Sequence, residues 1–194
     1  MKLLVTSRLP SPWGTYSISA FGQEGERLPH VVLHRGVKEA LASNEPVDVR
    51  VHSECMTGDV FASQRCDCGE QLHSALGHFK QHGGMLIYLR QEGRGIGLVD
   101  KLRAYNLQDE GMNTYEANSA MGHGEDEREY TDAIGILDHY GLQDVRLLTN
   151  NPLKEQALKH AGVNVVERLP LRATETSDNA GYLRAKREIT GHWL

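Results

Sequence analysis

No stretch of the chain approaches the roughly 20 consecutive apolar residues that span a bilayer, and the opening MKLLVTSRLPSPWG lacks the apolar run of a signal peptide. A cytoplasmic protein that does not engage membranes is therefore expected. Internal repeats, low-complexity tracts and linker-like segments are missing too, so residues 1–194 read as a single domain, long enough to bury a real core. Positive charge is in short supply: the formal net charge of -5 argues against a general nucleic-acid binder. Cysteine is scarce as well. The three present, Cys55, Cys66 and Cys68, fall within 14 residues, and an odd number in a chain without an export signal disfavours a disulfide framework. Metal or reactive thiol chemistry is the stronger reading.

Apolar spacing supplies the architecture. Val47 to His52 alternates like a strand, Met85 to Leu89 is a short apolar run suited to a strand covered on both faces, and Gly69 to His82 between them carries Leu72, Ala75, Leu76 and Phe79 at helical spacing. A second helical face comprises Ala133, Ile134, Ile136, Leu137 and Tyr140, followed by a strand at Val145 to Thr149, a helix over about Leu153 to Ala161 and a strand at Val163 to Leu169. Arg172 to Gly181 reads as a loop before a final helix at about Tyr182 to Thr190. Alternating helices and strands favour an α/β layered single domain with a mixed, partly parallel sheet flanked by helices. In such sheets ligands sit at the carboxyl ends of strands, where the chemistry-bearing segments Arg50 to Cys55, Arg90 to Gly97 and Thr149 to Lys154 lie.

Three thiolates so close together can share zinc. Cys68 just precedes a helix whose amino end favours thiolate over thiol. With three protein ligands and an open position, the metal can lower the pKa of bound water to roughly 7; with His52 or His73 as a fourth ligand, the site would be structural. In YLRQEGRGIGL, Tyr88 to Leu98, glycines follow a buried strand and Arg90 and Arg94 stand beside them, with Lys101 and Arg103 shortly after. This suits a backbone cradle for phosphate, though a tight turn with solvated arginines has the same signature. A dinucleotide fingerprint would require Gly or Ala where Leu98 stands. Gly124 to Tyr130 reads either as a charged helix start with Asp126 as N-cap or as a site segment. TNNPLK, Thr149 to Lys154, is a strand end offering a hydroxyl, amides and a lysine, or simply a well-made turn. Residues 50 to 103 hold seven Lys/Arg against six Asp/Glu, so a small polyanion would find its cations in the middle of an otherwise acidic chain.

Taken together, RVHSECMTGDVFASQRCDCGEQL, YLRQEGRGIGL, KLRAYNLQDEG, TYEAN, DEREY and LLTNNPLK, in that order, resemble GTP cyclohydrolase II from about Leu9 to the end. The resemblance implies zinc on Cys55, Cys66 and Cys68. It also implies GTP contacts from Arg50, Val51, His52, Ser53, Glu54, Gln71, Glu92, Gly93, Arg94, Thr114, Thr149 and Lys154. Asp126 and Arg128 match the family's proposed proton acceptor and nucleophile, and Tyr105 would lie beside the opening ring. A guanidinium is ordinarily protonated, so a phosphate clamp is the physically easier role for Arg128. The implied reaction is attack at C8 of guanine with loss of formate and pyrophosphate, giving 2,5-diamino-6-(5-phosphoribosylamino)pyrimidin-4(3H)-one, the first step of riboflavin biosynthesis. Magnesium would accompany the triphosphate, and the chain would form a homodimer. Met56, Glu129 and Tyr115 depart from the commonest family motifs, as does Asp178 to Tyr182. The bulky Tyr115 bears on substrate fit and leaves open a paralogue serving another guanine-derived pathway. A zinc nucleoside deaminase is a rival, because His52 and Glu54 followed by paired cysteines partly mimic that signature, without its Pro-Cys-x-x-Cys. A GTP-sensing module with structural zinc is another, but no Walker-type motif is present.

Overall fold

A computed structural model describes residues 1–124, 126–171 and 174–193. The amino-terminal third is an antiparallel meander: β1 (Lys2–Ser11), β2 (Gly14–Gly22) and β3 (His30–Arg35). These strands escape a periodicity reading because β1 is largely exposed along its length and has no clean apolar face. The chain then continues through α1 (Val37–Ala42), β4 (Val47–Ser53), α2 (Met56–Asp59), α3 (Cys68–His82) and β5 (Gly84–Leu89). A tight turn at Glu92–Gly95 leads to α4 (Gly97–Asp109) and α5 (Thr114–Ala120). The rest is α6 (Thr131–His139), β6 (Asp144–Leu148), α7 (Pro152–His160), β7 (Asn164–Leu169) and α8 (Ala180–Thr190). The helices and strands expected between Val47 and Leu169 thus form within a residue or two of their expected bounds. Of the expected 172–181 loop, Arg172 and Ala173 lie outside the described residues, and α8 begins at Ala180.

One seven-stranded sheet holds all of this, in the order β1-β2-β3-β5-β4-β6-β7. β5 pairs antiparallel with β3 and parallel with β4, and β4, β6 and β7 continue in parallel, which makes the sheet mixed. Alternation along β5 divides its residues between two cores. Met85, Ile87 and Leu89 join Ala133, Ile136 and Leu137 of α6 on one face, while Leu86 joins Ala75, Leu76 and Phe79 of α3 on the other. The alternation in β4 has a different meaning from the usual one. Val47, Val49 and Val51 enter the core, but Asp48, Arg50 and His52 on the opposite face are buried as well. Their polarity therefore marks a functional interior rather than solvent.

The α3–β5 connection needs glycine. Gly84 has φ +139, and a Cβ there would lie on Phe79 Cδ1 and only 2.6 Å from Asp48 O. Gly84→Ala should lower stability by about 2–3 kcal/mol, since the backbone region is closed to L-residues and the site has no slack. Urea unfolding checks this; a midpoint unchanged from the parent contradicts the packing account.

Candidate active site

Three strand ends meet above the parallel half of the sheet. Cys55 follows β4, while Cys66 and Cys68 arrive at the first turn of α3. The three sulfurs all lie within 4.8 Å of one another, with Cys55 and Cys66 Sγ 3.7 Å apart. Tetrahedral zinc with bonds of about 2.3 Å sets its sulfurs about 3.8 Å apart, so the group fits such an ion. Space for the sulfurs depends on Gly58, where a Cβ would stand 3.0 Å from Cys66 Sγ and 3.2 Å from Cys55 Sγ. Among the described residues, no fourth His, Cys, Asp or Glu joins the group. The two histidines that might have closed it are engaged elsewhere: His52 Nε2 lies 3.1 Å from both oxygens of Asp59, and His73 stacks on Trp13 with ring centroids 5.1 Å apart. All three cysteines line one cleft, together with Arg50, Glu92, Arg94, Arg128 and Lys154.

Charge around the sulfurs is uneven. Thiol hydrogen bonds from Cys66 and Cys68, reinforced by the Lys101 ammonium, overcome burial and hold the Cys55 thiol far below its usual range. The same hydrogen bonds to Cys55, with burial and its charge adding to them, push Cys66 up to about 11 and Cys68 well up. A divalent cation is what would let all three ionise together. Behind Cys55, the carboxylate of Asp59 accepts the Cys55 N–H at 3.0 Å and the Tyr88 hydroxyl at 2.8 Å, fixing the ligand loop.

Cations line the same cleft. Arg50 donates to Leu148 O at 2.9 Å and to Gln71 Oε1 at 2.6 Å, and Gln71 donates in turn to Asp67 at 2.6 Å. Burial pulls the Arg50 guanidinium down to about 10. Lys154, anchored on the Val51 carbonyl at 2.8 Å, is pulled well down by burial and by the like charges of Arg50 and Arg128. Buried Arg50 Nε, His52 Nδ1, Ser53 Oγ and Asn151 Nδ2 find no partner among the described residues, although all four residues line the cleft. Such atoms normally have partners, which makes them candidate ligand contacts.

The segment from Asp126 to Tyr130 is irregular, which allows what a helix would forbid: Asp126 and Arg128, two residues apart, form a two-pronged ion pair. Arg128 Nε donates to Asp126 Oδ1 at 2.7 Å and Nη2 donates to Oδ2. Although burial opposes both charges, the pairing holds Asp126 below and Arg128 above its ordinary range. Glu127 N–H donates to Arg94 O at 3.0 Å, and a Cβ on Gly95 (φ +98) would press on the Glu127 backbone at 3.1 Å. The glycine turn therefore also serves to seat this segment. Tyr105 extends from α4 to Thr57 Oγ1 at 3.1 Å, beneath the Arg65 guanidinium.

Most of the residues expected from the sequence line the cleft: Arg50, His52, Ser53, Glu54, Gln71, Glu92, Gly93, Arg94, Tyr105, Thr114, Arg128, Thr149 and Lys154, together with the cysteines. Two do not. Val51 packs into the core and offers only its carbonyl to Lys154, and Asp126 stands behind Arg128. The expected four-cation cluster is also smaller than its spacing suggested. Arg90 pairs with Glu54 at 2.8 Å and does not line the cleft, while exposed Arg103 pairs with Asp100 at 2.7 Å. Tyr115 lies outside the cleft with Arg94 4.5 Å over its ring, so it bears on the site through Arg94. The amides expected from the Thr149 to Lys154 segment, Asn150 and Asn151, line the cleft too, whereas sequence reasoning missed Arg65, Gln91, Asn118, Tyr182, Lys186 and His192. Asn118 sits inside a motif already singled out; the last three come from the carboxyl-terminal segment, which carried no signal.

A three-cysteine group that could hold a metal ion thus faces a cleft lined with arginines and lysines at strand ends, an arrangement of the kind enzymes use. More specifically, residues 2–170 match the family model of GTP cyclohydrolase II, so the chain belongs to that family and is a hydrolase by class. It is similar to proteins named GTP cyclohydrolase-2 from Shewanella sediminis (44% identical over 195 residues, 100% of this chain and 94% of the relative) and Shewanella oneidensis (46%, 100% and 95%). A third, from Neisseria meningitidis serogroup C, is 47% identical over 192 residues, 98% of this chain and 95% of the relative.

Gly58→Ala tests the cradle. Its Cβ would crowd two sulfurs and Cys68 Cβ, so metal affinity should fall on the order of tenfold or more while the fold persists. Competition with a chromophoric chelator measures this, and parent-like affinity would contradict the geometry.

Proposed function

We propose that the chain is a zinc-dependent hydrolase that opens the imidazole ring of GTP at C8, releasing formate and pyrophosphate to give 2,5-diamino-6-(5-phosphoribosylamino)pyrimidin-4(3H)-one, the first step of riboflavin biosynthesis. The observation that carries this reading is the three-cysteine group facing a cation-lined cleft in a member of this family. Zinc on Cys55, Cys66 and Cys68 would supply Lewis acidity and hydroxide at neutral pH. Tyr105, whose phenol pairs with Thr57 Oγ1 in the cleft shared with the cysteines, would hand a proton to the opening ring. Arg94, Arg128 and Lys154 receive the triphosphate, with Arg50 of β4 lining the same cleft, and magnesium accompanies the phosphates. Family membership alone supports the homodimer.

Gln71 and Glu92 already have partners: Gln71 with Arg50 and Asp67, Glu92 with Lys101, Met56 N–H and Gly93 N–H. Each keeps spare hydrogen-bonding capacity for the nucleotide, and His52 Nδ1, Ser53 Oγ and Asn151 Nδ2, without partners among the described residues, add further groups for polar recognition of the guanosine. A site built on hydrogen bonds rejects a base lacking them by a factor of about 10⁴. Products from GTP should be formate and pyrophosphate in equal amounts, with ATP a poor substrate. Cys66→Ser should lose zinc and ring opening together. Ammonia release would indicate a deaminase, and GTP recovered intact would indicate a sensor.

The ion pair to Asp126 makes Arg128 a cation at rest, so we assign it as the clamp on the α-phosphate. Attack by Arg128 itself would require Asp126 to take its proton in the same step. With GTP labelled at the α-phosphate, rapid quenching should leave no label on the protein; label trapped on the parent but absent from Arg128→Ala would establish the covalent route instead.

A further inference from the structure

Three thiolates donate heavily to a divalent cation, and the more charge they give, the less the cation polarises whatever occupies its fourth position. A group that withdraws charge from one sulfur restores that power. Lys101 is such a group. Carried in the first turns of α4 and only 11% exposed at its side chain, it places Nζ 3.1 Å from Cys55 Sγ and 2.7 Å from Glu92 Oε1. Glu92 is itself tied to the ligand loop, because its other oxygen accepts the Met56 N–H at 2.6 Å, next to Cys55. The carboxylate therefore fixes the ammonium against the sulfur and keeps it from swinging towards the cationic wall of the cleft. Tyr105, one turn further along α4, packs its ring 5.8 Å from the same ammonium.

We propose that Lys101 is a positioning residue of the metal centre, whose N–H···S hydrogen bond to Cys55 withdraws charge from that thiolate and keeps the bound cation electrophilic. Its place in the sequence, just after the arginines and glycines of the turn, suggests a phosphate ligand; its contacts assign it to the sulfur. The proposal rests on the three-cysteine metal reading and adds to it the reason a lysine follows the glycine turn at this position.

Cobalt(II) serves as the probe, because its sulfur-to-metal charge-transfer band reports thiolate donor strength directly. The parent protein should take up one equivalent and show that band. In Lys101→Met the sulfur electrons lose their hydrogen bond, so the band should move to lower energy; kcat for GTP should fall by about tenfold or more with KM within about twofold, and Lys101→Arg should restore part of both. Lys101→Gln, which keeps a polar partner for Glu92, provides a second variant should the methionine protein not fold. A band unmoved in folded variants, with KM for GTP raised about tenfold, overturns the proposal and makes Lys101 a phosphate ligand. A parent that takes up no cobalt through its thiolates overturns the metal reading itself, and this proposal with it.

Discussion

Repulsion among Cys55, Cys66 and Cys68 is the constraint around which the rest of the site is arranged. Their sulfurs lie within 4.8 Å of one another, and two thiolates about 4 Å apart repel by about 4 kcal/mol at an effective dielectric of 20. The protein alone stabilises one charge, at Cys55, and raises the other two thiols. Every neighbouring device either relieves that crowding or exploits it. Gly58 leaves room for the sulfurs, the Asp59 network holds the Cys55 loop, and Lys101 brings a positive charge to the ionised sulfur. A cation bound there would remove the repulsion and turn the charge to use.

The fold explains why so many polar groups tolerate burial. β4 sits centrally, between β5 and β6, and sends Arg50 and His52 into the cleft from the same strand whose valines build the core. Arg50, Gln71, Asp67 and Lys186 form one chain of hydrogen bonds from the sheet through α3 to α8. Asp67 stands between Cys66 and Cys68 in sequence, so this chain of hydrogen bonds runs from the three-cysteine group to Arg50. The carboxyl-terminal helix thereby becomes part of the site, although the family match ends at residue 170.

The parallel half of the sheet was legible because its strands are short apolar runs and its helices carry sharp faces, as with Leu72, Ala75, Leu76 and Phe79 in α3. The meander was not, because β1 is largely exposed and has no buried face to print a period on the sequence. In the site, spacing identified the cysteines, and the motifs named most of the cleft. Spacing could not separate Arg94, which faces the cleft, from Arg90 and Arg103, which pair with Glu54 and Asp100. Charge counting sees only that they are cations; Arg90 takes its partner from 36 residues away, and Arg103 takes its own from the same helix three residues earlier. Tyr182, Lys186 and His192 were invisible because a long-range fold brings them over the cleft.

X-ray absorption at the zinc edge of the purified protein addresses the open three-thiolate centre most directly. The account predicts one zinc per chain with three sulfurs at about 2.3 Å and a single light atom at about 2.0 Å that lacks the outer-shell scattering of imidazole. A fourth sulfur, an imidazole in the shell, or a protein that holds no zinc would contradict it.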